Sequence, residues 1–192
     1  MEITDRGDLG EDLNAPQRAD NGREFWSYSL IREINDGDVV FHYHKDAKAI
    51  VAWSRASGAV WEDTVLWGAH GMVARSARVR PYRRPGWRHG IEDFKPIGSP
   101  VTLTNLRARE TDLRSIYELL VGEHGASVYF PVNFYPGSLR PAQGYLTKLP
   151  KAVVTMFSSL TASAEEARIS DRAARHPGTT PPPGKGVGTE LA

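Results

Sequence analysis

The chain has 192 residues, no cysteine, and 24 basic against 23 acidic side chains, for a formal net charge of +1. That length fits one domain of ordinary size with tails, and the missing thiols exclude disulfides, thiolate nucleophiles, iron–sulfur clusters and cysteine-ligated zinc. The longest apolar runs, such as Ala49 to Trp53, are too short to cross a bilayer, and the acidic start lacks the pattern of a secretion signal, so a soluble cytoplasmic protein without membrane contact is expected.

Residues 1–22 carry Asp5, Asp8, Glu11, Asp12 and Asp20 with few large apolar side chains, which predicts a disordered acidic tail. A domain is expected over residues 23–162. It opens on Phe25-Trp26-Ser27-Tyr28-Ser29-Leu30-Ile31, a run of β-formers read as the first strand. The turn signal Asn35-Asp36-Gly37-Asp38 follows, and then Val39 to His44, where Val39, Phe41 and Tyr43 alternate with Val40, His42 and His44, so that one face should be core. Lys45 to Lys48 forms a polar connection, Ala49 to Ser54 returns as a strand, and Ser57-Gly58 marks its end.

Val60 to Trp67 predicts another extended piece, and Pro81 to Gly90, punctuated by Pro and Gly, a loop. Trp87 to Ile97 supplies a closing strand with Ile91, Phe94 and Ile97 as apolar members, held to an edge by Pro96 and Pro100. Leu113, Ile116, Tyr117, Leu120 and Val121 recur at helical spacing between about Glu110 and Gly122. Ser127 to Tyr135 and Gln143 to Pro150 read as aromatic extended segments, and Lys151 to Leu160 as a last strand or a helix. Residues 163–174 read as a solvated helix, and 175–192, rich in Pro and Gly, as a linker to a missing domain. The expected fold class is α+β, a small β-barrel flanked by a few short helices.

His42 and His44 have the spacing to present two imidazoles to one metal ion, but no partner segment supplies further ligands, so two polar-face histidines and no metal or other cofactor are expected. No Gly-x-Ser-x-Gly elbow occurs, and Gly184-Lys185-Gly186-Val187-Gly188 follows a proline run instead of a strand, so catalysis within the chain is not expected. The tryptophans Trp26, Trp53, Trp61, Trp67 and Trp87 serve a core or supply stacking faces for bases. The acid-free stretch Val65 to Ile91 holds Arg75, Arg78, Arg80, Arg83, Arg84 and Arg88, a field that would attract phosphate. A solvated face, or a patch paired with the acidic N-terminal segment, would give the same pattern.

Phe25-Trp26-Ser27-Tyr28, Gly37-Asp38-Val39-Val40-Phe41-His42-Tyr43, Ile50-Val51-Ala52-Trp53 and Ser99-Pro100-Val101-Thr102-Leu103, in that order, resemble EVE domains of the PUA superfamily. Gly125 to Asn133, Leu139-Arg140 and Gln143 to Pro150 resemble the variant at the N-terminus of actinobacterial McrA-type, HNH-containing, modification-dependent (type IV) restriction endonucleases. The similarity covers about residues 24–160.

The resemblance implies a PUA/EVE-like barrel that flips a modified DNA base, for example methylated cytosine, into an aromatic pocket, while a nuclease elsewhere in the same polypeptide cuts. It points to Trp26, Ser27, Tyr28, Trp53, Ser54 and Trp87 as pocket walls, Asn133 as a reader of a base edge, and Arg80, Arg83, Arg84 and Arg88 as phosphate contacts. The long basic segment Gly68 to Arg88 departs from the shorter connections of that family. Two further readings stay open: an RNA-binding PUA-like module, and a non-selective DNA-binding, scaffold or dimerisation domain.

Overall fold

The computed structural model describes residues 1–68 and 80–175. Its centre is a five-stranded sheet in the order β1-β3-β4-β5-β2, formed by β1 (Glu2–Thr4), β2 (Asp12–Pro16), β3 (Val39–His44), β4 (Ala49–Trp67) and β5 (Tyr82–Thr102). β1 runs parallel to β3, and every other pairing is antiparallel. The helices are α1 (Trp26–Ser29), continued by a 3₁₀ turn (Leu30–Glu33), then α2 (Leu103–Ala108), α3 (Glu110–His124), α4 (Lys151–Met156) and α5 (Ser158–Arg175). β6 (Val132–Tyr135) and β7 (Ser138–Pro141) make a separate hairpin around Gly137. Among the described residues, no helix is long and apolar enough to cross a membrane.

The N-terminal residues are not a disordered tail. They supply both edge strands of the sheet, with Ile3, Leu13 and Ala15 buried. Strands this short hold too few apolar side chains to stand out among the acids, and several of those acids are consumed by ion pairs.

Trp26 to Glu33 is helical, not a strand. The buried positions Ser27, Leu30 and Ile31 are three and four residues apart, a helical face. The bulky β-formers on this stretch misled because β-propensity mostly reports fit to a pleated, half-buried surface.

Two further boundaries moved. β4 does not stop at Ser57-Gly58: its register shifts there, Gly58 takes a φ of 75°, and the strand runs on to Trp67. The expected loop Pro81 to Gly90 lies almost wholly in β5, where Gly86 to Gly90 pair with β2 on one side while β4 flanks the other. Gly86 is there for close packing, since a Cβ would stand 2.5 Å from Val65 and 2.7 Å from the Ala15 carbonyl oxygen. The helix expected near Glu110 is α3, preceded by α2 with a capping box from Thr102 and Asn105. Lys151 onward takes the helical alternative, and α5 begins ahead of residue 163. Residues 176–192, most of the expected linker, lie outside the described residues.

Both faces of β3 are buried, not one. Phe41 and Tyr43 pack with Ile50, Trp53, Leu106, Leu113, Val153 and Leu160 under the helices. Val40, on the opposite face, packs with Leu13, Ile31, Val65, Trp67 and Tyr145. A sheet covered on both sides reads as continuous apolar strands, which is why Ala49 to Trp53 shows no clean alternation.

The fold is mixed α+β, as expected; among the described residues no ladder joins β1 to β2 and no closed barrel is found. Tyr145 spans the gap instead. Its carbonyl accepts from Ile3 N–H at 2.7 Å on β1, and its hydroxyl accepts from Asn14 N–H at 3.1 Å on β2.

A candidate aromatic groove

Helix α1 is pinned by Ser27. Its buried Oγ accepts from the backbone N–H groups of Tyr145, at 2.5 Å, and Leu146, at 2.9 Å, and donates to the Leu146 carbonyl at 3.0 Å. The approach requires a glycine at 144, where a Cβ would stand 2.5 Å from Ser27 Oγ and 3.3 Å from the Trp26 ring. Ser27 therefore fixes where Trp26 points, and it is unavailable to a ligand.

Trp26 stacks on Tyr129 with ring centroids 5.1 Å apart and planes inclined by 18°. Tyr129 has a φ of 49°, a left-handed conformation that a bulky side chain adopts at a cost of about 1–3 kcal/mol. Its carbonyl accepts from Lys148 N–H at 2.9 Å, and Lys148 Nζ stands 5.7 Å from its ring centroid.

This pair lines a groove of about 830 Å³ between α1, α3 and the hairpin, shared with Phe25, Arg114, Asn133, Phe134 and Gln143. Arg114 lies 4.6 Å over Phe134, and Arg140, opposite Asn133 on β7, lies 5.3 Å over Tyr135 at the rim. Stacking faces, two side-chain amides and cations thus converge on one open surface.

Of the seven expected pocket residues, only Trp26 and Asn133 meet there. Trp53 is buried in the helix-side cluster with Lys95 over its ring, whereas Trp26, Tyr28 and Trp87 pack against the cluster on the opposite face. Tyr28 meets Trp67 edge-on at 5.3 Å, and Trp87 lies under Arg32 at 5.4 Å. Neighbouring strand residues face opposite ways, so Trp53 and Ser54 cannot line one pocket.

Ser54 belongs to a buried row. His42 Nδ1 lies 2.6 Å from Glu2 Oε2 and His42 Nε2 lies 2.7 Å from Ser54 Oγ, with all three residues inaccessible. With Glu2 ionised and a neutral imidazole, Nδ1–H donates to the carboxylate and the serine O–H donates to Nε2, the order of a catalytic triad. A nucleophile must reach its substrate, and Ser54 Oγ has no exposed surface, so the row satisfies buried polar groups. His42 and His44 do not form a two-imidazole site, because His42 is committed inside while His44 Nδ1 accepts from Ala47 N–H in the turn. Among the described residues no group of three potential ligands converges.

Part of the arginine belt is answered from within. Arg88 pairs with Asp12 and, through Nε at 2.7 Å, with Asp63; Arg84 Nη1 donates to Asp20 at 2.6 Å. Asp12, Asp20 and Asp63 thus pair with two of the six arginines between Val65 and Ile91. Arg80 and Arg83 are exposed and, among the described residues, have no acidic partner, while Arg75 and Arg78 lie outside those residues.

Sequence reading missed Tyr129, Phe134, Arg114 and Gln143 as groove residues, and Arg140 and Lys148 as cations over the groove rings Tyr135 and Tyr129. The aromatic run Tyr129-Phe130-Pro131-Val132-Asn133-Phe134-Tyr135 was a usable signal for a surface rich in rings. The left-handed Tyr129 was not, since nothing in its residue type announces it. No protein-family model matches the chain, and no curated protein does.

Proposed function

We propose that this chain is a non-catalytic recognition domain that takes one base, extruded from a DNA duplex, into the Trp26–Tyr129 groove, with a modified cytosine as its target. The carrying observation is that Trp26, Tyr129 and Asn133 converge on one open groove. Its volume lies within the range of small-ligand sites. Extrusion costs a few kcal/mol of unstacking, and base–aromatic stacking returns about 1–3 kcal/mol per base. The Asn133 and Gln143 amides each offer a donor and an acceptor to a base edge.

The same reading takes the five-stranded sheet as a PUA/EVE-like scaffold in which Tyr145, not a strand ladder, spans β1 and β2. It makes the chain the DNA-recognition part of a modification-dependent HNH endonuclease whose cutting domain lies elsewhere in the polypeptide.

The test is a fluorescence-anisotropy titration with matched duplexes, unmodified, cytosine-methylated, hydroxymethylated and phosphorothioated, at two salt concentrations. One modified duplex should bind selectively at both salts, and Trp26→Ala should weaken that complex roughly 10- to 100-fold. Equal, salt-sensitive binding of all four, unchanged by Trp26→Ala, would overturn the proposal in favour of a non-selective DNA-binding or scaffold role. Binding of unpaired RNA alone would overturn it in favour of an RNA module.

A further inference from the structure

The geometry assigns the phosphate contacts of this groove to Arg114, Arg140 and Lys148, and with them a substrate class: a short single-stranded stretch of nucleic acid laid along the groove beside the bound base. This rests on the base-binding reading and goes beyond it, because it names what flanks the base and replaces the β5 belt as the source of phosphate contacts.

Three rings that line the groove each carry a cation, Tyr129 with Lys148, Phe134 with Arg114 and Tyr135 with Arg140; Arg114 lines the groove itself, and the other two stand beside it. Their basic side chains are all exposed. Rings that present stacking faces, interleaved with charges that track a backbone, are what a single strand needs and a stacked duplex cannot use. The groove, at about 830 Å³, also has more room than one base requires.

The competing charges are weakly held. Arg114 Nη2 donates to Glu110 at 3.0 Å, an exposed i,i+4 pair of the kind worth a few tenths of a kcal/mol, which a phosphate can displace. Glu118 is the one carboxylate lining the groove among the described residues. It repels phosphate at its end and offers an acceptor to a base amino group, as cytosine N4 presents. Arg84 and Arg88, in contrast, are already paired with Asp20, Asp12 and Asp63.

The test compares a short unmodified single strand with its duplex, for the wild type, an Arg114→Ala/Arg140→Ala/Lys148→Ala triple variant, and an Arg80→Ala/Arg83→Ala control. All five side chains are exposed, so both variants should keep the wild-type melting temperature within a few degrees. The single strand should bind more tightly than the duplex. The triple variant should flatten its slope of log K against log salt by about 2, at roughly 0.7 per contact, and the control should leave it unchanged. A slope moved by the control and not by the triple variant overturns the assignment. If a modified duplex is still selected while the triple variant's slope stays put, this inference fails and the base-binding reading stands. If the slope flattens but Trp26→Ala changes nothing, the phosphate track stands and the base-binding reading fails.

Discussion

Two regions of this chain use the same residue types in opposite ways. Around the two N-terminal strands of the sheet, Glu2, Asp12, His42, Ser54, Arg88 and Tyr145 find partners within the chain. Along the groove, Arg114, Asn133, Arg140 and Lys148 stand outward, and their cations rest over rings instead of on acids, apart from the exposed Arg114–Glu110 pair. Polar side chains whose partners lie within the fold stabilise it, whereas those facing an open aromatic surface are the ones the proposed reading assigns to a ligand. Substitutions on the first side should therefore cost stability and spare binding, and those on the second should do the reverse.

The largest expected effect is at the buried row. His42→Leu removes the imidazole 2.6 Å from Glu2 and leaves the buried carboxylate short of a hydrogen-bond donor, with the Tyr145 hydroxyl still beside it, a loss of about 3–5 kcal/mol. A urea titration read by tryptophan fluorescence would measure it. A Glu2→Leu/His42→Leu double variant should recover much of that loss, because no buried carboxylate is left short of a donor. A His42→Leu protein of wild-type stability would break the comparison at its strongest point.

Ser27→Ala comes next. It leaves the Tyr145 and Leu146 N–H groups without their acceptor, and two buried unsatisfied donors cost roughly 2–4 kcal/mol. The same substitution loosens the link that aims Trp26, so Ser27 is the place where the two regions touch. Weaker base binding at a temperature where the variant is still folded is the expected sign, and a variant that melts earlier but binds normally would show Trp26 to be held by its other contacts.

A pH titration ranks third. Burial, then the neighbouring Glu2 charge, holds the Tyr145 phenol well above its ordinary range, and burial pushes Tyr43 up to about 12. Both values are raised on folding, so the native state retains protons that the unfolded chain has lost. The stability they confer is intact below pH about 10, the ordinary phenol value, and falls by up to about 1.4 kcal/mol per pH unit per group above it. Tyr145→Phe should flatten the alkaline slope of stability, measured by denaturation at several pH values; an unchanged slope would mean that Tyr145 ionises as it would in water.

Much of the frame was legible in the chain. The turn at Asn35 to Asp38, the strands from Val39 and Ala49, and the helix with Leu113 and Ile116 all follow from short-range pattern. What failed has a common cause in long-range pairing. Glu2 and Asp12 looked like solvated acids because their partners, His42 and Arg88, are 40 and 76 residues away. Pro85 and Gly86 looked like loop punctuation because the strands that flank them are set by the fold, not by their neighbours. The candidate site was legible in kind, aromatic with an amide, but only Trp26 and Asn133 were legible by position. Trp53, Ser54 and Ser27 were expected to share a wall, and the alternation of the sheet and the Ser27 staple send them elsewhere.

The smallest effect sharpens the boundary between the two regions. Asp20 accepts from Arg84 at 2.6 Å and from the Tyr82 hydroxyl at 3.1 Å, while its own side chain is 65% exposed. An ion pair open to water on one side is worth less than about 1 kcal/mol, so Asp20→Asn should barely move the melting temperature. It does, however, release Arg84 from its carboxylate at a place where a phosphate oxygen would be welcome. Unmodified duplex should then bind more tightly, with a salt slope steeper by about 0.9 for one added phosphate contact, while the affinity of the selected modified duplex changes little and selectivity falls. In that case the N-terminal acids do more than satisfy arginines: they withhold a non-selective surface from DNA and leave discrimination to the groove. An Asp20→Asn protein with the wild-type slope would place the β5 arginines wholly on the structural side of the comparison.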